Sequence, residues 1–294
     1  AHSNASYVQL VRHKNAESIV EAIKHIFEYL NGVPHTIWFD NDSALVKIVN
    51  MENGSIARTL SDTFQRFKLH YEFKEVFMNP ERGYEKGTVE QAVRFMRRNL
   101  LVPLPEFSDF ELYNKELLKR SSELLKRKHY VLKQPIVDLH FEDINELNQL
   151  PPTSFVCTSV SSRKLDNYGR LTTENRHYYY LDPALAYERV QVKYLPNQLE
   201  IYYEEGTHIM TIPRISDKPG LRYINWSPYI RLLADKPAAM YNFSFLDLFE
   251  GNDLIIEKIT KLEATKLQVF LYSFANMIDD IGIDEAVKKV STLL

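Results

Sequence analysis

The sequence holds a single cysteine, Cys157, in 294 residues. One thiol excludes an internal disulfide framework and a cysteine-based zinc site, and it suits a reducing compartment. No apolar run approaches the roughly 18 residues that a membrane span requires. A signal peptide is missing too: the chain opens Ala1-His2-Ser3 and passes straight into "SYVQLVR". Without an initiating methionine or a flexible tail, this opening reads as the interior of a longer protein. Internal repeats and low-complexity tracts are absent. So is an overall positive charge: the formal net is −3 at pH 7.

What is there is ordinary in bulk and uneven in detail. Hydrophobic residues make up 45% and charged residues 26%, the mix of a soluble globular protein, and the length suits about two domains. The charge is not spread evenly. Arg82 to Lys133 carries 12 Lys and Arg against 7 Asp and Glu, whereas Ala234 to Leu294 carries 6 against 10. A basic middle and an acidic end imply two jobs in one chain.

Periodicity divides the chain further. Ser6–Arg12 alternates like a strand. "NAESIVEAIKHIFEYLNG" has helical spacing, with Asn15 placed to cap and Gly32 just past the end. Thr36–Asp40 reads as a strand, "SIARTLSDTFQRFKLHY" as an amphipathic helix through Ile56, Leu60, Phe64 and Phe67, and "YEFKEVF" as a strand. Glu85–Leu101 is a helix stopped by Val102-Pro103-Leu104-Pro105. Strand and helix alternate, as in an α/β domain with a mostly parallel sheet. "SDFELYNKELLKRSSELLKRKHY" opens with a capping box, Ser108 to Glu111, and continues as a long basic helix. Short β-rich pieces follow between Phe155 and Arg214, spaced for a small barrel or sandwich. Helical pattern runs from about Pro228 to the end.

Two stretches bear chemistry. In "TIWFDNDSALV", Asp40 ends a strand, where an acid is either a turn former or a metal ligand; Asp-Asn-Asp is also good turn chemistry. In "NPERGYEKGTVEQAVRFMRRN", Gly83 and Gly87 allow a close backbone approach. Glu90 follows early on a helix with Arg94 and Arg97 on the same face. Val89, Val93, Met96 and Leu100 form a separate apolar face for the sheet. Carboxylates so placed can converge on divalent metals, and all-oxygen ligands suit magnesium. The alternative is a solvated helix with a Glu–Arg pair worth about 0.3–0.5 kcal/mol. The basic helix Glu111–Lys128 offers Lys119, Arg120, Arg127 and Lys128 to phosphates, or is simply a charged coat on a core helix. Alternate tyrosines of Tyr178-Tyr179-Tyr180 fill the β region; the others could contact DNA.

"GVPHTIWFDN", "FQRFKLHYEF", "NPERGYEKGTVE" and "RRNLLVPLP" together resemble the catalytic core of IstA-type insertion-sequence transposases. These are members of the DDE and retroviral-integrase superfamily. The resemblance implies an α/β ribonuclease-H-like core, N-terminally truncated, over residues 1–104. A basic helical linker (105–152), a small DNA-binding β-barrel (153–216) and a C-terminal helical region for assembly or partner contact (217–294) would follow. It also implies that Asp40 and Glu90 are the second and third acids of the triad, holding Mg2+ or Mn2+, with Glu81 and Glu85 as competing carboxylates. Lys86, Arg94, Arg97 and Arg98 would touch donor-end phosphates. The partners implied are transposon-end and target DNA, further copies of the chain on that DNA, and an AAA+ helper ATPase, in a bacterial cytoplasm at the nucleoid. The family's first aspartate would precede "SYVQLVR"; no acid lies between Ala1 and Arg12, so this chain alone is expected to be inactive in strand transfer. A non-catalytic DNA-binding or assembly remnant is the alternative from a different class, and a structure-specific nuclease of the same fold a third.

Overall fold

The computed structural model describes residues 2–50, 56–78, 83–173, 176–215, 220–236 and 244–293. The chain divides into two compact units. The first is Ala1–Val160, Lys193–Glu200 and Met210–Arg214; the second is Ser161–Val192, Ile201–Ile209 and Ile215–Leu294.

In the first unit, helix α1 (Ala16–Leu30) starts where Asn15 accepts a hydrogen bond from the Ser18 N–H. It ends on Asn31 in the left-handed conformation (φ 52°), not on Gly32. Gly32 answers a different need, because a Cβ there would stand 2.6 Å from the Leu147 side chain. Strand β1 (Thr36–Phe39) lies parallel to β4 (Lys74–Phe77), with Phe39 opposite Phe77. Helix α2 (Asp62–Tyr71) joins them after a hairpin of β2 (Val46–Asn50) and β3 (Ile56–Leu60).

That hairpin corrects the sequence reading, which ran one helix from Ser55 to Tyr71. Ile56 and Leu60 sit in an antiparallel ladder with β2, and the helix begins only after Ser61. β-Branched Ile56 and Thr59 suit the pleat better than a helix. Ser6–Arg12 is corrected as well. No strand pairs with it among the described residues; Asn114 instead exchanges hydrogen bonds with the Leu10 backbone, at 2.8 and 3.0 Å.

The core behind β1 and β4 is aromatic. Phe27, Phe39, Phe64, Phe67, Tyr71, Phe73 and Phe155 are buried together, mostly in edge-on and tilted pairs. Phe155 and Cys157, read as part of a first β-rich piece, belong to this core; the strand begins only at Ser159.

Buried charge closes the same unit. The Glu17 carboxylate accepts from the Ser159 hydroxyl (2.6 Å) and pairs with Arg214 (3.2 Å). Glu21 pairs with Lys24 at 2.8 Å and faces His25 at 3.3 Å. Burial works to raise the Glu21 carboxyl, but hydrogen bonds from His25, Cys157 and Lys24 outweigh it and hold it down at about 2.

Seven strands follow: β5 (Ser159–Lys164), β6 (Arg170–Thr172), β7 (Tyr178–Tyr180), β8 (Arg189–Tyr194), β9 (Gln198–Tyr203), β10 (His208–Pro213) and β11 (Arg222–Ile224). Among the described residues their ladders form two sheets, ordered β10-β9-β8-β5 and β11-β7-β6. In the second unit Tyr179 is buried, while Tyr178 and Tyr180 flank the Arg170 guanidinium, at 4.8 and 5.6 Å from its carbon. Gly169 (φ 65°) is required there, because a Cβ would collide with the Asp182 carbonyl.

The same unit ends in the helices Trp226–Asp235, Asp253–Thr260, Ala264–Ile281 and Ile283–Leu293. They close on a core of Ile230, Phe245, Phe249, Ile259, Leu271 and Phe274. Among the described residues no helix is long and apolar enough to cross a membrane.

Candidate metal and nucleic-acid site

The carboxyl ends of β1 and β4 lie side by side, and the ladder continues one step further as the Met78 N–H donates to the Phe39 carbonyl (2.9 Å). Asp40 therefore stands level with Met78 at the mouth of the parallel pair. In open α/β sheets this edge is where ligands bind.

Asp40, Asn41 and Asp42 share the turn that follows β1, and the Asp42 N–H donates to the Asp40 carbonyl at 2.8 Å. The Asp42 carboxylate accepts from the Ala44 N–H (2.9 Å) and pairs with Lys14 (3.2 Å), and its carbonyl accepts from Leu45 and Val46. Asn41 ties the two strand ends together, donating to the Met78 carbonyl (2.5 Å) and accepting from Arg58 (3.2 Å). Sequence reasoning missed this Asn41–Met78–Arg58 clamp, because Arg58 was assigned to a helix. Asp40 is exposed, and one carboxylate oxygen accepts from the Asn41 N–H at 2.8 Å.

From β4 the chain runs through 79–82 into α3 (Gly83–Leu100). Glu81 lies outside the described residues, as do the side chains of Glu85 and Lys86. Helix α3 starts two residues before the sequence reading placed it. The protein's own atoms leave the space around Gly87 open. Glu90 is exposed, two turns into the helix. No ion pair joins Glu90 to Arg94 or Arg97 among the described residues, and Arg94, Arg97 and Arg98 are all exposed.

Only half of the expected apolar face is covered. Met96 and Leu100 are buried with Tyr113 and Leu117 of α4 (Phe110–Glu123), while Val89 and Val93 remain about half exposed. Helix α4 covers the last turns of α3 and no more. Its cap is Asp109, which accepts from the Leu112 N–H at 2.9 Å, not Ser108.

The basic helix also stops early, since a 3₁₀ turn, Leu124–Lys126, follows Glu123. Lys119 and Lys128 are exposed and Arg120 is half-buried. Arg127 leaves the helix and lays its guanidinium carbon 3.9 Å over the Phe95 ring, and burial there lowers its pKa.

Asp40 and Glu90 supply only oxygen donors and both face solvent. Among the described residues no set of three or more His, Cys, Asp or Glu gathers as a metal site. Two exposed carboxylates, completed by water and phosphate oxygens, are a ligand mix that magnesium accepts.

No protein-family model matches the sequence. Curated relatives do. A transposase of Aminobacter aminovorans is 26% identical over 246 residues, covering 82% of this chain and 47% of the relative. A transposase for insertion sequences IS1326/IS1353 from Pseudomonas aeruginosa is 25% identical over 247 residues, covering 82% and 48%. The transposase for insertion sequence element IS21 from the same species is 26% identical over 196 residues, covering 65% and 48%. This chain is a homologue of insertion-sequence transposases. The resemblance carried by "GVPHTIWFDN" and "NPERGYEKGTVE" is borne out at that level, and the chain spans about half the length of the curated relatives it matches.

Proposed function

We propose that this chain is the DNA-handling part of an insertion-sequence transposase with a ribonuclease-H-like core. In the intact protein it would cleave phosphodiesters at the element ends and join them to target DNA. One observation carries the reading. In a homologue of transposases, the parallel β1–β4 pair sets Asp40 at the edge from which the chain enters α3, the helix bearing Glu90 and three exposed arginines. Asp40 and Glu90 are the side chains that would hold Mg2+ or Mn2+, which when bound steadies the charge on the attacking and leaving oxygens.

The chain's own residues do the rest. The Asn41–Met78 hydrogen bond keeps the strand ends, and so Asp40, in register. Arg94, Arg97 and Arg98 extend along α3 to meet phosphates of the donor end, with Lys86 in the same helix, and Lys119, Arg120 and Lys128 continue the positive track. Assembly of several copies on DNA and action with an AAA+ helper ATPase, at the bacterial nucleoid, belong to the same proposal.

The test is strand transfer by the intact transposase on pre-cleaved ends. Asp40→Asn and Glu90→Gln should each lower the rate by about a hundredfold or more while leaving DNA affinity within about twofold, the signature of a group that acts on the reaction and not on binding. Either variant retaining a tenth of the wild-type rate overturns the assignment of that residue.

A further inference from the structure

Residues 127–135 form a loop in which only Lys128 has a role in that track. At its tip Tyr130, Val131 and Leu132 are 73%, 59% and 47% exposed. Three consecutive large apolar side chains in water are unfavourable unless something covers them.

The loop is nonetheless built to hold them there. Lys128 and Pro135 form a β-bridge, and the His129 N–H donates to the Gln134 carbonyl at 2.7 Å. His129 is buried, and its Nδ1 accepts from the backbone N–H groups of Val131 (3.2 Å) and Leu132 (3.0 Å). Nδ1 thus serves as the acceptor for the tip, and Nε2 on the far side of the ring lies 2.6 Å from the Asn4 side-chain amide. Lys133 closes the turn in left-handed backbone (φ 58°), and its ammonium donates to the Tyr130 carbonyl at 2.6 Å. The tip is propped outward rather than folded onto a core.

The charge around the tip selects its partner. From Leu124 to Val137 there are four Lys and Arg and no Asp or Glu. Lys126, Lys128 and Lys133 are exposed. An apolar tip ringed by cations fits a polyanion whose apolar interior is reachable through a groove, which describes duplex DNA. We propose that the Tyr130–Leu132 tip is a wedge that enters a base step of bound duplex, with Lys126, Lys128 and Lys133 on the flanking phosphates. This rests on the DNA-handling reading and assigns a contact within it. Because the loop is already ordered by His129, insertion fixes no flexible segment and loses little conformational entropy.

The full chain is titrated against a fluorescent duplex carrying 2-aminopurine, reading anisotropy for affinity and 2-aminopurine brightening for unstacking. The double variant Y130S/L132S should bind about tenfold more weakly, as expected for losing a base-stacking contact. It should also lose the brightening and keep the salt slope. K126Q/K128Q should make the slope of log affinity against log salt shallower by about 1.8, near 0.9 for each phosphate contact. His129→Ala, which leaves the tip residues in place, should reduce the brightening. Wild-type affinity and brightening in Y130S/L132S would overturn the wedge and leave the DNA reading intact. The same follows if sedimentation shows that variant losing self-association at unchanged DNA affinity. A wild-type chain with no salt-dependent affinity for duplex overturns the DNA reading and the wedge together.

Discussion

The basic stretch from Arg82 to Lys133 and the acidic stretch from Ala234 to Leu294 use charge in opposite ways. In the acidic stretch several of the described cations are matched close at hand. Arg231, just before it, reaches Asp279 at 2.6 Å and Lys288 reaches Glu285 at 2.7 Å, while Lys261 meets Glu257 one turn away. In the basic stretch, among the described residues, no ion pair involves Arg94, Arg97, Arg98, Lys119, Lys126 or Lys128. Among the described residues the excess there is not neutralised from within. A net charge of −3 for the whole chain therefore conceals an uneven distribution of charge. Glu17 and Arg214 mark a third case, in which charge is buried and matched, and so serves the fold.

Disrupting that third case should have the largest effect. Glu17→Gln removes the carboxylate facing the partly buried Arg214, which keeps its hydrogen bond to the Leu195 carbonyl, and should destabilise the chain by about 2–3 kcal/mol, read by urea unfolding. A loss below about 1 kcal/mol would remove the distinction between buried and surface pairs.

Next comes the basic stretch. Reversing charge in R94E/R97E/R98E should weaken duplex binding about a hundredfold near physiological salt and flatten its salt dependence. Wild-type binding by that variant would break the comparison outright.

Glu21→Gln sharpens it on the stability side. The Glu21 carboxyl is held low in the folded chain, at about 2. Its contribution is therefore fully present above the ordinary carboxylate pKa and is lost as pH falls through about 2. The wild-type advantage should be about 2 kcal/mol at neutral pH, after discounting for partial solvent exposure, and should vanish toward pH 2. A gap that grows on acidification would contradict the sign.

The smallest effect belongs to Lys288→Gln. It breaks an exposed pair and should leave the urea midpoint unchanged within error and duplex affinity within twofold.

Much of this was legible from residue order alone. Helical spacing in "NAESIVEAIKHIFEYL" and its Asn15 cap are local properties, as is the β-rich texture from Ser159 to Pro213. Local periodicity depends on which residues are three, four or two apart, and the chain carries that directly. The two main misreadings share one cause. Ile56 and Leu60 are spaced to suit a helix, and Ser6–Arg12 alternates like a strand. What decided both was the neighbour: β2 for the first, the Asn114 side chain for the second. Pairing partners are long-range and leave no trace in a local pattern.

The candidate site divides in the same way. Asp40 at a strand end, Glu90 on the following helix and the basic run were all visible in the sequence, and so was the kinship with transposases. Tertiary structure alone showed that Asn41 ties the strand ends to Arg58, that Arg127 is held on Phe95, and that His129 props an apolar tip into solvent. Residue order determines which groups are available. Only packing across distant positions decides which of them are already satisfied by the protein and which face outward for a ligand.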